Sequence, residues 1–457
     1  MSIGERLARL LSVEEALDLI RGAVGGPLPA ESLAPEDALG RWLAAPVVAT
    51  TDLPPWDNSA MDGYAIRAFD TNGVREGSPV RLRVVGEARA GESWIGSRGA
   101  DDVAGDRVLG SGTAIRIATG ARIPPGADAV VPVEQTTPLD EAGNPTGGRD
   151  GLASGPLPAW CLVHESIPPG GSIRAQAGDL REGTTVLAAG SRMSPAAVAL
   201  AAGSGAATVS VHRRPRVGVL ATGDEIRGAG EVLGDAGIPD ANGPGLRALV
   251  RAAGADPLAL GIARDVLSDV RERLGRGIAT ADVVIVSGGV SVGPYDVVRA
   301  AFAELGRVDL WRVAVQPGKP FAFGVAPRPG GGAPVLLFGL PGNPVSTAVT
   351  FELFVRPAIH TLAGDPRPAH AVDRGVIGEP VTKGAGRRAF LRVVADRDEG
   401  GIPERDSDGR VAVRLAGGQG SHVLSSLAAA EALAIVPEDQ DSLPAGADVA
   451  IWWLDRG

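Results

Sequence analysis

Cysteine, aromatic residues and lysine are scarce in this sequence, and each scarcity limits what the protein can be. Its 457 residues include one cysteine, Cys161. A disulfide framework and a cysteine-based metal site are therefore excluded, and a reducing compartment is expected. Aromatic residues make up only 4%, so aliphatic side chains must form the core. Lysine occurs only as Lys319 and Lys383 among 44 basic residues, so each lysine calls for a chemical explanation.

An excess of positive charge and a long apolar run are also absent. The 44 basic and 54 acidic residues give a net charge of −10, which does not favour nucleic acid or an anionic membrane surface as a partner. The most apolar stretch, Ala196–Val211, is short and interrupted by Gly and Ser, unlike a membrane span. The first residues carry charge throughout and lack an apolar signal core. We therefore predict a cytoplasmic protein without nucleic-acid or membrane partners.

What the sequence does contain indicates several folded domains rich in turns. At about 100–200 residues per domain, the length predicts two to four domains. Ser12 and Glu15 form a capping box that predicts a first helix. Short alternating runs such as Val80–Val85 and Thr113–Ala118 predict β-strands. From residue 213 strands and helices alternate, which predicts an open doubly wound α/β domain, and an all-β module follows.

Polar, Gly-rich turns follow the predicted strands of the α/β region. They are Thr222–Glu225, Ala263–Asp265, Ser287–Gly293, Gln316–Lys319 and Gly339–Pro344. Ligands bind at the carboxyl ends of strands in open α/β sheets, so we expect these turns to meet at one site. Backbone N–H groups in such loops suit an anion, converging carboxylates suit Mg²⁺, and a lysine suits phosphate. Each turn alone is equally consistent with ordinary turn chemistry.

Two further patterns have a structural and a functional interpretation. Asn343 and Pro344 are predicted as the N-cap and first residue of a helix Val345–Arg356. Asp240 is predicted either to lie on the polar rim or to stabilise a helix N-terminus. In the β region, Asp62 lies in the segment Met61-Asp-Gly-Tyr64, where a turn residue is the simpler interpretation.

Seven motifs occur in a fixed order along the chain. They are Ser59-Ala-Met-Asp-Gly-Tyr-Ala65, Thr119-Gly-Ala121 with Pro125-Gly-Ala-Asp128, Thr222-Gly-Asp-Glu225, Ser287-Gly-Gly-Val-Ser-Val-Gly293, Pro317-Gly-Lys-Pro320, Gly339-Leu-Pro-Gly-Asn-Pro344 and Gly418-Gln-Gly-Ser421. In this combination the sequence resembles the molybdopterin molybdenumtransferase (MoeA) family, to which the gephyrin E domain is related. The resemblance covers essentially the whole chain.

The resemblance implies a multi-domain fold of α/β and β units. Its expected parts are an elongated mixed α/β domain (residues 1–50 and 168–212), an inserted β-barrel-like domain (51–167), a doubly wound molybdopterin-binding α/β domain (213–366) and a C-terminal β-barrel (367–457). It also implies Mg²⁺-dependent insertion of molybdate into adenylylated molybdopterin with release of AMP, the final step of molybdenum cofactor biosynthesis. A homodimer with a cleft shared between subunits is implied. Molybdopterin adenylyltransferase and molybdoenzyme apoproteins are the candidate partners.

Residue by residue, the resemblance assigns roles to matching positions. The implied catalytic residues are Asp62, Thr119, Asp179, Glu225, Asp265, Asp296 and Lys319, of which Glu225, Asp265 and Asp296 are the implied metal ligands. The implied substrate-binding residues are Gly223, Asp224, Ser287, Gly288, Gly289, Ser291, Gly293, Arg312, Gln316, Gly318, Pro341, Gly342, Asn343, Pro344, Arg388 and Ser421. Candidates for holding molybdate are Arg312, Arg388 and Arg392. Gln316 stands where many family members have a second lysine.

Two alternatives stay open from the sequence. A molybdopterin adenylyltransferase shares the α/β domain and the Ser-Gly-Gly loop but lacks the flanking domains, so the length argues against it. If the protein were a non-catalytic scaffold related to gephyrin, its polar cleft residues would have no function. The segments Gly96–Gly112 and Leu139–Pro158 are predicted to be solvated insertions.

Overall fold

The structure is a computed structural model that describes residues 10–92, 108–147, 155–289 and 297–454. The predicted site residues Ser291, Gly293 and Asp296 lie outside these ranges, as do parts of both predicted insertions. The helices of the described ranges are α1 (Val13–Val24), α2 (Pro195–Gly203), α3 (Asn242–Ala252), α4 (Leu267–Thr280), α5 (Val297–Leu305), α6 (Pro344–Thr350), α7 (Arg356–Leu362) and α8 (Leu424–Ala429). None of them is both long and apolar enough to cross a membrane.

An elongated unit is built from segments on both sides of an insertion. Its strands are β1 (Ala30–Leu33), β2 (Val47–Val48), β3 (Asn58–Ser59), β10 (Ile173–Arg174), β11 (Thr185–Leu187) and β12 (Val209–His212). Strands β1, β2 and β3 pair antiparallel with β12, β11 and β10. The segments that lead into the insertion and back from it therefore lie side by side as antiparallel pairs. Leu43, Met193 and Val211 lie in its apolar core.

The first helix packs on the α/β unit rather than in the core of the elongated unit. Ser12 and Glu15 form the predicted capping box, which is confirmed. The buried face of α1, with Val13 and Ile20, belongs to the same apolar cluster as the α/β sheet. The Leu28 N–H also donates to the Leu362 carbonyl at 2.8 Å. The amino-terminal segment thus links the two units.

The inserted unit is a six-stranded sheet that curls towards closure. Its strands are β4 (Gly63–Ile66), β5 (Val80–Ala88), β6 (Thr113–Ile117), β7 (Ala129–Pro132), β8 (Thr136–Leu139) and β9 (Trp160–Val163). Their spatial order is β7-β4-β6-β5-β9-β8. The two edge strands β7 and β8 are consecutive in the chain and joined by the short 3₁₀ turn Val133–Gln135, so the edges lie near each other. Cys161 is buried inside, and burial raises the pKa of its thiol to about 12.

The α/β unit has a mixed six-stranded sheet. Its main strands are β13 (Arg216–Thr222), β16 (Asp256–Ala263), β17 (Val283–Ser287), β18 (Arg307–Arg312), β20 (Pro320–Ala326) and β21 (Val335–Leu340), and a separate short parallel pair is formed by β14 (Ile226–Arg227) and β15 (Ile238–Pro239). The order is β16-β13-β17-β21-β20-β18, with β20 antiparallel to both of its neighbours. Val283 and Ile285 face one core, while Val284 and Val286 face the other. Both faces of the sheet are therefore covered, as a continuous apolar strand predicts.

Two details of this unit differ from the sequence prediction. Strand β20 was not predicted, because it begins with a proline, contains a glycine and is specified by pairing with strands on both sides. The predicted helix Val345–Arg356 instead starts at Pro344 and continues to Leu362. A π-helical turn, Phe351–Val355, lies just before Pro357. Because a proline removes one helical hydrogen bond, a wider turn lets the helix continue through it.

A closed barrel ends the described chain. Its strands are β22 (Asp373–Ile377), β24 (Arg388–Ala395), β25 (Val411–Leu415), β26 (Ala432–Val436) and β28 (Asp448–Trp453). Pairing of β24 with both β25 and β26 closes the ring. A small sheet of β23 (Val381–Thr382) and β27 (Ser442–Leu443) accompanies it. Strand β19 (Val315–Gln316) leaves the α/β unit and pairs with β24, so the barrel is held directly beside the turn that follows β19.

Candidate functional site

The polar turns of the α/β unit lie along one edge of its sheet. In the order of the strands, the turn residues along this rim are Asp265 after β16, Glu225 after β13, Ser287 at the end of β17, Pro341 after β21, Lys319 before β20 and Arg312 at the end of β18. The Lys319 turn was predicted at the carboxyl end of a sheet strand. It does follow the carboxyl end of β18, by way of β19, and it also precedes β20, which begins at the same edge because it runs antiparallel. Strands are spaced about 4.8 Å apart, so the rim from β16 to β20 is roughly 19 Å long.

The acidic end of the rim brings three predicted carboxylates together. The Asp265 N–H donates to Asp224 Oδ1 at 3.1 Å. The Glu225 carboxylate folds over Gly223, where a Cβ would lie 2.8 Å from Oε2 and where φ is +143°. Partial burial and the neighbouring carboxylates of Asp224 and Glu225 raise the pKa of Asp265. Within the described ranges no three ligand side chains are arranged to hold a metal ion, and the predicted ligand Asp296 lies outside them.

Two glycine-containing loops meet at the middle of the rim. Gly288 has φ of +94°, and a Cβ there would lie 2.6 Å from the Thr222 carbonyl oxygen. On the neighbouring loop, a Cβ on Gly342 would lie 3.8 Å from the Cα of Gly288. The Gly288 backbone is thus tightly packed, and the Gly342 loop lies next to it at ordinary van der Waals distance. A side chain at Gly288 would displace the Ser287–Gly289 loop.

Asn242 links these two loops and was not among the predicted site residues. Its Nδ2 donates to Ser287 Oγ at 2.8 Å and to the Gly342 carbonyl at 2.7 Å. The available signal was an asparagine at the start of a helix, two residues after a predicted rim residue, Asp240. Asp240 itself accepts from the Gly243 N–H at 2.8 Å, which is the helix-stabilising interpretation.

The Asn343 side chain does not cap its helix, contrary to the prediction. Asn343 occupies the N-cap position and Pro344 the first turn, but no hydrogen bond joins the side chain to the helix. Its Nδ2 instead donates to Ser421 Oγ at 2.9 Å, and the Val345 N–H donates to the Ser421 carbonyl at 3.2 Å. The amide is therefore used to join the rim to the C-terminal barrel. This places the predicted Ser421 at the rim.

The other end of the rim is basic. Lys319 is exposed and Arg312 is half-buried, and neither side chain makes an ion pair within the described part of the chain. Gly318 has φ of +117°, which a non-glycine residue would adopt only under strain. Gln316 Oε1 accepts from the Gly384 N–H at 3.2 Å. The residue at the usual lysine position therefore holds a loop of the barrel.

The structure separates the arginines that the sequence analysis proposed for molybdate. Arg388 donates to Glu14 at 2.5 Å and to Glu438 at 3.1 Å, so its charge is compensated. Arg392 is only 1% exposed and has no carboxylate partner among the described residues. An uncompensated buried guanidinium is the stronger candidate for an anion ligand, because burying an unpaired charge is costly.

Arg392 is held in place by neutral groups. Its Nε donates to Ser426 Oγ at 3.2 Å, and its Nη2 donates to the carbonyls of Gly418 at 3.0 Å and Gly420 at 3.2 Å. No acceptor within the described residues is assigned to its Nη1. Burial lowers the pKa of this arginine. The guanidinium thus keeps hydrogen-bonding capacity for a ligand.

A cavity of about 230 Å³ lies against Arg392. Gln316 and Pro317 from the turn before Lys319 line it, together with Gln419 from the barrel. The Gln419 side chain bonds the backbone of Arg392 on both sides, accepting from its N–H at 2.9 Å and donating to its carbonyl at 3.1 Å. The cavity therefore joins the basic end of the rim to the loop that carries Ser421.

The remaining predicted residues lie in the other two units. Asp62 Oδ1 accepts from the Thr119 N–H at 2.7 Å, so this predicted pair is in contact. Gly63 leaves no space for a side chain, because a Cβ would overlap the Val131 carbonyl. Asp179 is exposed, and its N–H donates to the Leu53 carbonyl at 2.9 Å. Within the described ranges, neither Asp62 nor Thr119 forms a hydrogen bond with the α/β rim.

Known proteins match this chain over almost its whole length. The matching families are MoeA N-terminal region (domain I and II) at residues 11–205, probable molybdopterin binding domain at 218–361, and MoeA C-terminal region (domain IV) at 374–454. Molybdopterin molybdenumtransferase 2 of Mycobacterium tuberculosis is 37% identical over 423 residues, covering 91% of this chain and 93% of that protein. Molybdopterin molybdenumtransferase of Nostoc is 36% identical over 424 residues, covering 91% and 87%.

A solved structure agrees with these matches. The molybdopterin biosynthesis MoeA protein from Pyrococcus horikoshii superimposes with a TM-score of 0.74 at 29% identity, covering 97% of this chain and 99% of that one. The fold and the rim thus define a multi-domain protein of the kind that carries a molybdopterin-binding α/β domain. Within that class, the chain belongs to the MoeA family of molybdopterin molybdenumtransferases. The predicted resemblance and fold class are confirmed.

Proposed function

We propose that this chain is a molybdopterin molybdenumtransferase that inserts molybdate into adenylylated molybdopterin, with Mg²⁺, and releases AMP. The observation that carries the proposal is the charge separation along the rim. Carboxylates of Asp224, Glu225 and Asp265 lie at one end, while Lys319 and the cavity beside Arg392 lie at the other. A long substrate with a nucleotide at one end and an oxyanion acceptor at the other matches this arrangement.

The acidic end fits a Mg²⁺ ion. Glu225 and Asp265 are hard oxygen ligands, and the raised pKa of Asp265 reflects partial burial and neighbouring negative charge, both of which a bound cation would offset. Mg²⁺ is commonly held by one or two carboxylates together with substrate phosphate oxygens, so two protein ligands suffice. When bound, Mg²⁺ supplies positive charge that offsets the charge of a pyrophosphate group. In the Ser287–Gly289 loop the Gly288 N–H already donates to the Leu340 carbonyl at 3.1 Å, so the Gly289 N–H is the candidate for orienting the same substrate.

The basic end fits an oxyanion. Arg392 on β24 offers the free hydrogen-bonding capacity of its Nη1, while Ser421 directly follows Gly420, whose carbonyl accepts from Arg392. Guanidinium groups bind oxyanions through directed, charge-assisted hydrogen bonds. Lys319 adds an exposed positive charge next to the Gln316–Pro317 wall of the cavity. Together these groups hold molybdate close to the reacting end of the molybdopterin.

A second copy of the chain completes the site in this proposal. Asp62 and Thr119 contact each other but make no hydrogen bond to the rim of their own chain. The resemblance implies a cleft shared across a dimer, in which this pair faces the rim of the other subunit. On the same proposal, the protein acts in the cytoplasm. Its partners are molybdopterin adenylyltransferase and molybdoenzyme apoproteins.

The proposal is tested by AMP release from adenylylated molybdopterin. Purified protein with molybdate and Mg²⁺ is expected to release AMP and to produce cofactor that reactivates an apo-molybdoenzyme. Release that needs no molybdate would contradict molybdate insertion. Consumption of molybdopterin and ATP instead would favour the adenylyltransferase alternative, and tight binding without AMP release would favour a scaffold. Light scattering that gives a monomer mass at micromolar concentration would contradict the shared cleft.

A further inference from the structure

A second concave site lies away from the rim, where the elongated unit meets the α/β unit. It is a cavity of about 440 Å³, within the size range of small-molecule sites. Its charged lining residues are Arg41, Arg192, Arg214, Arg356, Arg367 and Asp365. Trp42 and the two histidines His212 and His360 contribute further walls. Five arginines and one aspartate thus line a cavity of a protein whose net charge is −10.

The arginines of this cavity fall into two groups. Arg41 pairs with Glu31 and donates to the His212 carbonyl at 2.6 Å, and Arg356 pairs with Glu352 at 3.7 Å. These two are anchored in the walls. The single carboxylate, Asp365, is already paired with His360 at 2.8 Å.

The remaining arginines of the lining, Arg192, Arg214 and Arg367, are exposed. Arg214 is 4.0 Å from Asp256, the limit of an ion pair. Arg192 and Arg367 form no ion pair within the described ranges. They come from different parts of the chain, before α2 and after α7, so only the folded protein brings them to the same opening. Their charges repel each other unless an anion lies between them.

We propose that this cavity binds a small phosphorylated molecule that carries at least two negative charges. Guanidinium groups suit phosphate, because their planar fork matches two oxygens at once. A concave opening favours a small molecule, and the overall negative charge of the protein disfavours nucleic acid and membrane surfaces. The cavity is distinct from the rim, since its lining shares no residue with the cavity beside Arg392.

The proposal is tested by calorimetric titration of the full-length protein with inorganic pyrophosphate, in EDTA and at low salt. Chelation removes Mg²⁺, so metal-dependent binding at the acidic end of the rim does not contribute. We expect saturable binding that weakens as salt rises. In the double variant Arg192→Ala/Arg367→Ala, the Kd is expected to rise at least about tenfold, because charge-assisted hydrogen bonds to phosphate are lost. Both positions are exposed, so folding is expected to be preserved.

Two control variants make the test specific. Arg276→Ala removes an exposed arginine from α4, which packs on the opposite face of the sheet, and is expected to leave the Kd unchanged. Arg392→Met removes the oxyanion site proposed beside the rim, so pyrophosphate binding that persists in this variant does not occur at that site. The outcome is therefore independent of the proposed enzymatic activity.

Three results would overturn the proposal. The first is the absence of pyrophosphate binding by the wild-type protein up to millimolar concentration. The second is an equal Kd for the wild-type protein and the double variant. The third is a double variant whose mass by light scattering is lower than that of the wild-type protein, while the wild-type protein does not bind pyrophosphate. The cavity would then be a contact between two copies of the chain.

Discussion

Replacing Arg392 by methionine separates a role in oxyanion binding from a role in holding the fold. The guanidinium makes three hydrogen bonds, to Ser426, Gly418 and Gly420. Each hydrogen bond from a charged donor contributes about 1.5–3 kcal/mol. Removing an uncompensated buried charge returns a desolvation cost of several kcal/mol. Because these contributions oppose each other, we expect Arg392→Met to lower the free energy of unfolding by no more than about 2 kcal/mol.

The expected effect on molybdate is larger. Arg392 Nη1 carries two N–H groups, and losing two charge-assisted hydrogen bonds to an oxyanion costs about 3 kcal/mol or more. At about 1.4 kcal/mol per factor of ten, this is roughly a hundredfold loss of affinity. We expect the KM for molybdate in AMP release to rise by at least this factor. Molybdate is also expected to raise the Tm of the wild-type protein and not that of the variant.

The matched control is Arg388→Met, on the same strand. It breaks two ion pairs, with Glu14 and Glu438, and is expected to lower stability while changing the KM for molybdate less than about twofold. An unchanged molybdate KM in a folded Arg392→Met variant would refute the reasoning and leave Arg392 a structural residue. A large increase of the KM for molybdate in Arg388→Met would show that an arginine paired with carboxylates can still bind the oxyanion.

Three further substitutions test the rest of the site. Asp265→Asn is expected to raise the Tm at neutral pH, because it removes a carboxylate whose pKa is raised by partial burial and by its acidic neighbours. It is also expected to lower turnover at least about tenfold, and a lower Tm with normal turnover would contradict a cation site. Asn242→Ala should raise the KM for adenylylated molybdopterin about tenfold by releasing two loops, whereas an unchanged KM with lower stability would make Asn242 purely structural. Asp62→Ala should lower turnover at least about tenfold without unfolding, and wild-type rates would leave Asp62 a turn residue.

Local patterns predicted the elements whose cause is local. The Ser12 capping box and the alternating strand Val80–Ala88 are both present. Each depends on neighbours a few residues away. Strand β20 was missed because its stability comes from pairing with β18 and β21, which no short-range pattern records. The π-helical turn before Pro357 was missed for a related reason, since packing of the buried helix sustains it.

The candidate site shows the same division. Gly-rich turns and carboxylates predicted the rim, because such turns follow strands and strand ends meet at one edge. The role of Asn242 and the preference for Arg392 over Arg388 could not be predicted from the sequence. The first depends on two loops meeting in space, and the second depends on which arginine has carboxylates beside it.

By itself, the sequence determined the family, the units and the residues with chemical capacity, because motifs and periodicity are properties of neighbouring residues. The tertiary structure decided how that capacity is distributed. Strand order places carboxylates at one end of the rim and Lys319 at the other, since neighbouring strands need not be consecutive in the chain. Burial decided that Arg392 carries an uncompensated charge, and the meeting of two units placed Arg192 and Arg367 at one cavity. Charge acts through space, so only the folded chain defines its partners.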